Sequence, residues 1–81
     1  MTKIHNLKIR AEYAFPKLKG DKMFEIRKND RNYEVGDIIH YRVIDDDELN
    51  EAMFTKFYKI KYITDYAQQY GFVVFGEQEW L

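Results

Sequence analysis

Glu25 and Arg27 stand two residues apart inside a run of charge, with Lys22 before them and Lys28, Asp30 and Arg31 after them. In a strand, residues i and i+2 project from one face, so this carboxylate and guanidinium stand side by side. Arginine offers a planar fork of donors that fits a phosphate or a carboxylate. Glu25 can hold that fork, or accept a hydrogen bond from an exocyclic amine such as that of cytosine or adenine. Lys22, in the turn after Gly20, is free to reach the same place. This is the chemistry of a site for an anion or a nucleotide. Were the site catalytic, Lys22 and Glu25 would be its general acid and base, with water as the nucleophile. Spacing alone also suits a solvated surface pair, worth under about 1 kcal/mol.

The next residues extend the candidate site. Asn29 carries donor and acceptor groups that can read a base edge, Arg31 can contact a phosphate, and Asp30 can orient Arg31. The same three residues, with Lys28, equally suit a plain solvated turn. His5 and Lys8, on opposite faces of one strand, complete the candidate ligand set. His5 shares its face with Leu7 and Ile9 and reads as a hydrogen-bonded core or cleft-edge residue. His40 is distant in sequence and no carboxylate has matching spacing, so neither a metal site nor a cofactor is expected. The seven tyrosines can stack on bases or serve as core residues with a wet hydroxyl. The chain has no Cys, no Ser and no phosphate-binding glycine-rich loop.

These side chains need a frame. His5, Leu7 and Ile9 alternate with Asn6, Lys8 and Arg10, which predicts a first strand with one apolar face. Residues 12–19 predict a short helix that Gly20 ends at positive φ, with Pro16 an awkward passenger. Residues 23–28 predict a second strand, with Phe24 and Ile26 facing a core and Glu25 and Arg27 facing away from it. Val35-Gly36-Asp37 predicts a turn, and residues 38–43 a third strand. After the acidic residues 45–48, Asp47 is placed to cap a short helix through Met53. Residues 54–63 predict a long strand, with Tyr58, Ile60 and Tyr62 on one face. Residues 64–71 predict a loop or one helical turn, and residues 72–75 a short apolar strand. Short strands separated by turn signals predict a mainly β, α+β fold: a small closed barrel of five to six strands with short helices.

Eighty-one residues make one domain, residues 1–81. Six Phe, seven Tyr and one Trp give so small a chain large side chains to bury. The absence of Cys excludes disulfides and suits a reducing compartment. No run approaches the roughly 18 apolar residues of a membrane helix, and no secretory leader is visible, so a cytoplasmic protein without a membrane partner is expected. Residues 1–42 hold ten Lys/Arg against six Asp/Glu, an excess of four positive charges; residues 43–81 hold three against eight, an excess of five negative. Such asymmetry suits an anionic ligand, although a folded chain interleaves its halves.

The block from Gly20 through Lys22 and Glu25 to Arg27 resembles the G-x-K-x-x-E-x-R signature of ASCH domains, relatives of the PUA RNA-binding fold. The resemblance extends through His5-Asn6-Leu7-Lys8-Ile9, Glu25-Ile26-Arg27-Lys28-Asn29-Asp30-Arg31 and Val35-Gly36-Asp37 to a subfamily of small bacterial and phage ASCH-like proteins. It implies a PUA-like barrel, an RNA or nucleotide partner, and a ligand cleft around Lys22, Glu25 and Arg27. Some ASCH proteins are amidohydrolases on acetylated cytidine that use a Thr three residues after the Lys; here that position is Glu25, which forms an acyl intermediate poorly. The resemblance thus favours a small RNA- or nucleotide-binding module, with a hydrolase of modified nucleosides as the alternative. An interaction domain using residues 45–48 is the third reading.

Overall fold

The computed structural model describes residues 2–44 and 51–80. Its elements are β1 (Ile4–Arg10), α1 (Ala11–Leu18), β2 (Phe24–Lys28), β3 (Ile38–Ile44), β4 (Glu51–Thr64) and β5 (Phe72–Trp80). They form a five-stranded mixed sheet in the order β1-β3-β4-β5-β2. β1 pairs parallel with β3, and the other ladders are antiparallel. The protein is therefore mainly β with one short helix among the described residues. The expected closed barrel is not formed: β1 and β2 are the two edges, and no ladder joins them. Irregularities between His40 and Arg42 and between Ile60 and Tyr62 bend the sheet. The bending brings the two edges close enough for one side chain to span them.

The first strand follows its alternation: His5, Leu7 and Ile9 are buried, and their neighbours are exposed. α1 ends in a Schellman motif. The Gly20 amide donates to the Lys17 carbonyl at 3.0 Å and the Asp21 amide to the Pro16 carbonyl at 2.9 Å, with Gly20 at φ +86°. Pro16 lies inside the helix. In eight residues its missing amide forfeits one intrahelical bond, to the Glu12 carbonyl, so the helix survives it.

Other expectations need correction. Residues 51–53 belong to β4, not to a helix; residues 45–50, with the proposed Asp47 cap and acidic loop, lie outside the described residues. β5 runs on to Trp80, well beyond residue 75. Tyr58 and Ile60 are buried but Tyr62 is exposed, because the extra residue Lys61 turns the strand over between them.

The core gathers Leu7, Ile9, Ile39, Tyr41, Phe54, Tyr58, Ile60, Val73 and Phe75 on one face of the sheet, with Ala14 from α1 and Tyr33 from the β2–β3 connection. Asp37 fastens that connection to β1. Its buried carboxylate accepts from His5 Nε2 at 2.8 Å and from the amides of Glu34 at 3.0 Å and Lys3 at 3.3 Å. Burial pushes its pKa up, but His5 and the two amides outweigh burial and hold it below the ordinary 3.8. A carboxylate depressed on folding adds stability above its unfolded pKa, and that stability is lost as pH falls through the folded value. Asp37→Asn is expected to cost about 1–3 kcal/mol at neutral pH. It should also flatten the acid limb of the stability–pH curve, as thermal melts between about pH 7 and pH 2.5 would show.

Candidate functional site

In β2 the spacing rule holds but the faces are reversed. Glu25 is buried, while Phe24 and Ile26 are 43% and 56% exposed. The cause is a positive charge inside the fold. Lys17, on α1, is 1% exposed and extends its side chain into the core. Its ammonium meets Glu25 Oε2 and Glu77 Oε2, each at 2.9 Å, and donates to the carbonyls of Lys22 and Phe24 at 3.3 Å. A buried ammonium demands such partners, and only the inward side of β2 can supply Glu25. Tyr41 completes the cluster by donating its hydroxyl to Glu77 at 2.8 Å.

Burial pushes the Glu25 carboxyl up, yet Lys17, Lys22 and Arg27 together hold it below 4.5. Burial dominates at Glu77, with Glu25 adding to it; despite Lys17 and Tyr41, its pKa lies above the ordinary value. The Tyr41 hydroxyl is pushed far above its usual 10, by burial and then by Glu77, and so acts as a donor.

Lys22 and Arg27 both reach the Glu25 carboxylate. Lys22 Nζ lies 2.8 Å from Oε2, and Arg27 Nε lies 3.0 Å from Oε1. The rest of the arginine fork crosses the open seam: Arg27 Nη2 donates to the Lys8 carbonyl of β1 at 2.9 Å. Arg27 is thus a strut between the two edges, where strand pairing is absent.

Along this seam lies a cleft of about 300 Å³. Lys8, Arg27, Lys28, Arg31 and Arg42 line it, with Asp30 as the one carboxylate and Tyr33 beneath. Lys28 and Arg31 make no hydrogen bond or ion pair among the described residues. Of the predicted site residues, the cleft therefore collects Lys8, Arg27, Asp30 and Arg31. Asp30 forms no ion pair with Arg31 among the described residues. Lys22 and Glu25 open instead onto a neighbouring depression of about 380 Å³, with Tyr13, Phe24 and Ile26. Asn29 is occupied in its turn: its Oδ1 accepts the Tyr33 amide at 3.0 Å. His5 is buried against Asp37, and its ring meets that of Tyr33 at 4.8 Å with the planes tilted by 60°.

Sequence reasoning missed Lys17, Tyr41, Glu77 and Arg42. By sequence, Lys17 suits the last turn of a helix, where a lysine is normally solvated. Glu77 shares strand parity with buried Val73 and Phe75, a signal usable only once β5 is known to run past residue 75. Among the described residues no group of His, Asp and Glu is placed to hold a metal ion, and no helix is long and apolar enough to cross a membrane.

Comparison with known proteins assigns the family. Residues 4–76 match a domain of unknown function, DUF3850. The chain belongs to the DUF3850 family. A relative from Escherichia phage P2, an uncharacterized 12.9 kDa protein in the GpA 3′ region, is 51% identical over 39 residues. That match spans 48% of this chain and 36% of the phage protein, so the chain covers well under two thirds of its relative. The DUF3850 match runs from β1 into β5 and includes every residue lining the basic cleft.

Proposed function

We propose that this DUF3850 domain is a small RNA- or nucleotide-binding module of ASCH-like, PUA-like type, and that its ligand enters the seam between β1 and β2. One observation carries the reading: five cationic side chains line a single cleft beside one carboxylate, and two of the five, Lys28 and Arg31, make no hydrogen bond or ion pair among the described residues. Cations left unneutralised in a concave site attract phosphate, and a cleft focuses their field. The net charge of −1 limits attraction elsewhere on the surface, so affinity depends on this site. The resemblance to ASCH domains, carried by Lys22, Glu25 and Arg27, agrees with a ligand in this region.

The hydrolase alternative draws on the Lys22–Glu25 pair at 2.8 Å beside its own depression. Against it, Glu25 holds three cations at once and is depressed below its ordinary pKa, which makes it a weak base. Binding is the better account.

Fluorescence anisotropy with a labelled RNA of about 12 nucleotides, a length within the usual range of single-strand sites, tests the reading. Arg27→Lys keeps the charge but loses the fork that links Glu25 to the Lys8 carbonyl. It is expected to weaken binding at least about tenfold, more than a charge count implies. An Arg27→Lys protein that binds as the parent does would remove Arg27 from the site.

A further inference from the structure

We infer a second contact surface on the outer face of the sheet: Phe24 and Tyr62 flank Gly76 to form a slot that takes an unpaired nucleobase of a single-stranded RNA. This rests on the reading of the chain as a nucleic-acid binder, but it concerns different residues. Phe24 of β2 and Tyr62 of β4 both pair in register with Gly76 of β5, so the three lie in one row across the sheet. The row exists because Lys61 is the extra residue between Ile60 and Tyr62, which turns Tyr62 outward. Tyr62 is 66% exposed.

Gly76 faces the bulge at Lys61, but sterics do not require a glycine there. Its φ is not in the left-handed region, and a Cβ built there meets nothing within 4 Å. A glycine weakens a strand interior and often marks a place where a ligand approaches the backbone. Here it leaves bare backbone in the row between Phe24 and Tyr62, with neither ring within 4 Å of a Cβ built at Gly76. Strands two apart are about 10 Å from each other. A planar ring in contact with a wall on each side needs about 7–8 Å, so the walls have room to close on one base.

Charge selects a nucleotide over an apolar protein side chain. Exposed Lys61 directly precedes Tyr62, and Lys22 Nζ, itself paired with Glu25, stands 4.8 Å from the centre of the Phe24 ring. A cation beside each wall suits a base whose flanking phosphates are anionic, the combination used by stacking platforms for single strands. The face is continuous with the basic cleft through β2, where Lys28 has the outward parity of Phe24 and Ile26 and also lines the cleft.

The test is anisotropy with labelled oligo(A) of about 12 nucleotides, on the parent, Gly76→Val, Tyr62→Leu and Lys28→Ala/Arg31→Ala. Gly76→Val fills the floor with a good strand former and should melt at or above the parent temperature while binding at least about tenfold more weakly. Tyr62→Leu keeps apolar area but removes the ring, and should lose about as much. If both bind as the parent does while the double cleft variant loses affinity, the slot is wrong and the cleft reading stands. If both lose affinity and the double cleft variant does not, the slot stands and the cleft reading fails. A parent that does not bind oligo(A) at low salt overturns the slot.

Discussion

Lys17→Ala is expected to cost about 3–5 kcal/mol, because it removes the cation from a buried cluster and leaves its carboxylates behind. Lys17 is wholly enclosed between Glu25 and Glu77. Glu25 keeps Lys22 and Arg27, whereas Glu77 keeps only the Tyr41 hydroxyl among the described residues. A loss of that size lowers the melting temperature of so small a domain by at least about 12 °C, and it approaches the whole stability of a marginal fold. Lys17→Met/Glu77→Gln should recover part of the loss, since no unpaired charge is then buried and the amide oxygen can still accept from Tyr41. The pH dependence has a definite sign. A carboxyl whose folded pKa is raised above its unfolded value favours the fold at low pH, and that contribution is lost as pH rises through the folded pKa. Glu77 is already such a group, and without Lys17 it becomes more so. The deficit of Lys17→Ala should therefore shrink as pH falls through the folded pKa of Glu77 toward the ordinary 4.5, and not in Lys17→Met/Glu77→Gln. Thermal melts of the three proteins across that range check it; a Lys17→Ala deficit independent of pH would mean that Glu77 finds another partner.

Lys28→Ala/Arg31→Ala is expected to weaken RNA binding about 10- to 100-fold at low salt while leaving the melting temperature nearly unchanged. Both side chains are exposed at the cleft rim and make no hydrogen bond or ion pair among the described residues, so their loss leaves no buried group unpaired. Each phosphate contact contributes about −0.7 to the slope of log affinity against log salt for a single strand. Removing two should flatten that slope by about 1.4. A variant that lost affinity with the parent's slope intact would point to a change of shape in place of lost phosphate contacts.

Local chemistry made much of the frame legible. The alternation in residues 4–10, the cap at Gly20 and the turn at Val35-Gly36-Asp37 each depend on neighbours in sequence, and each is found. In β2, parity correctly put Glu25 with Arg27 and Phe24 with Ile26. Parity does not say which pair faces inward, and here a lysine eight residues earlier decides against the apolar pair. The turnover at Lys61 and the extension of β5 through Gly76 and Glu77 likewise depend on partners far along the chain. Closure failed as an inference because short strands with turn signals do not specify whether two edges pair. At this seam an arginine side chain takes the place of a ladder. The candidate site was legible as a cluster of charge around Glu25, and its division into two depressions was not.

The central claim, an anionic ligand in the seam between β1 and β2, is tested most directly by amide chemical-shift mapping of the isotope-labelled protein. A short single-stranded RNA, and separately a free nucleotide, would be titrated in at low salt. The account predicts the largest shifts at Lys8, Lys28, Arg31 and Tyr33, the residues around the cleft. Shifts confined to residues 64–71, or no shifts with either ligand, would contradict it.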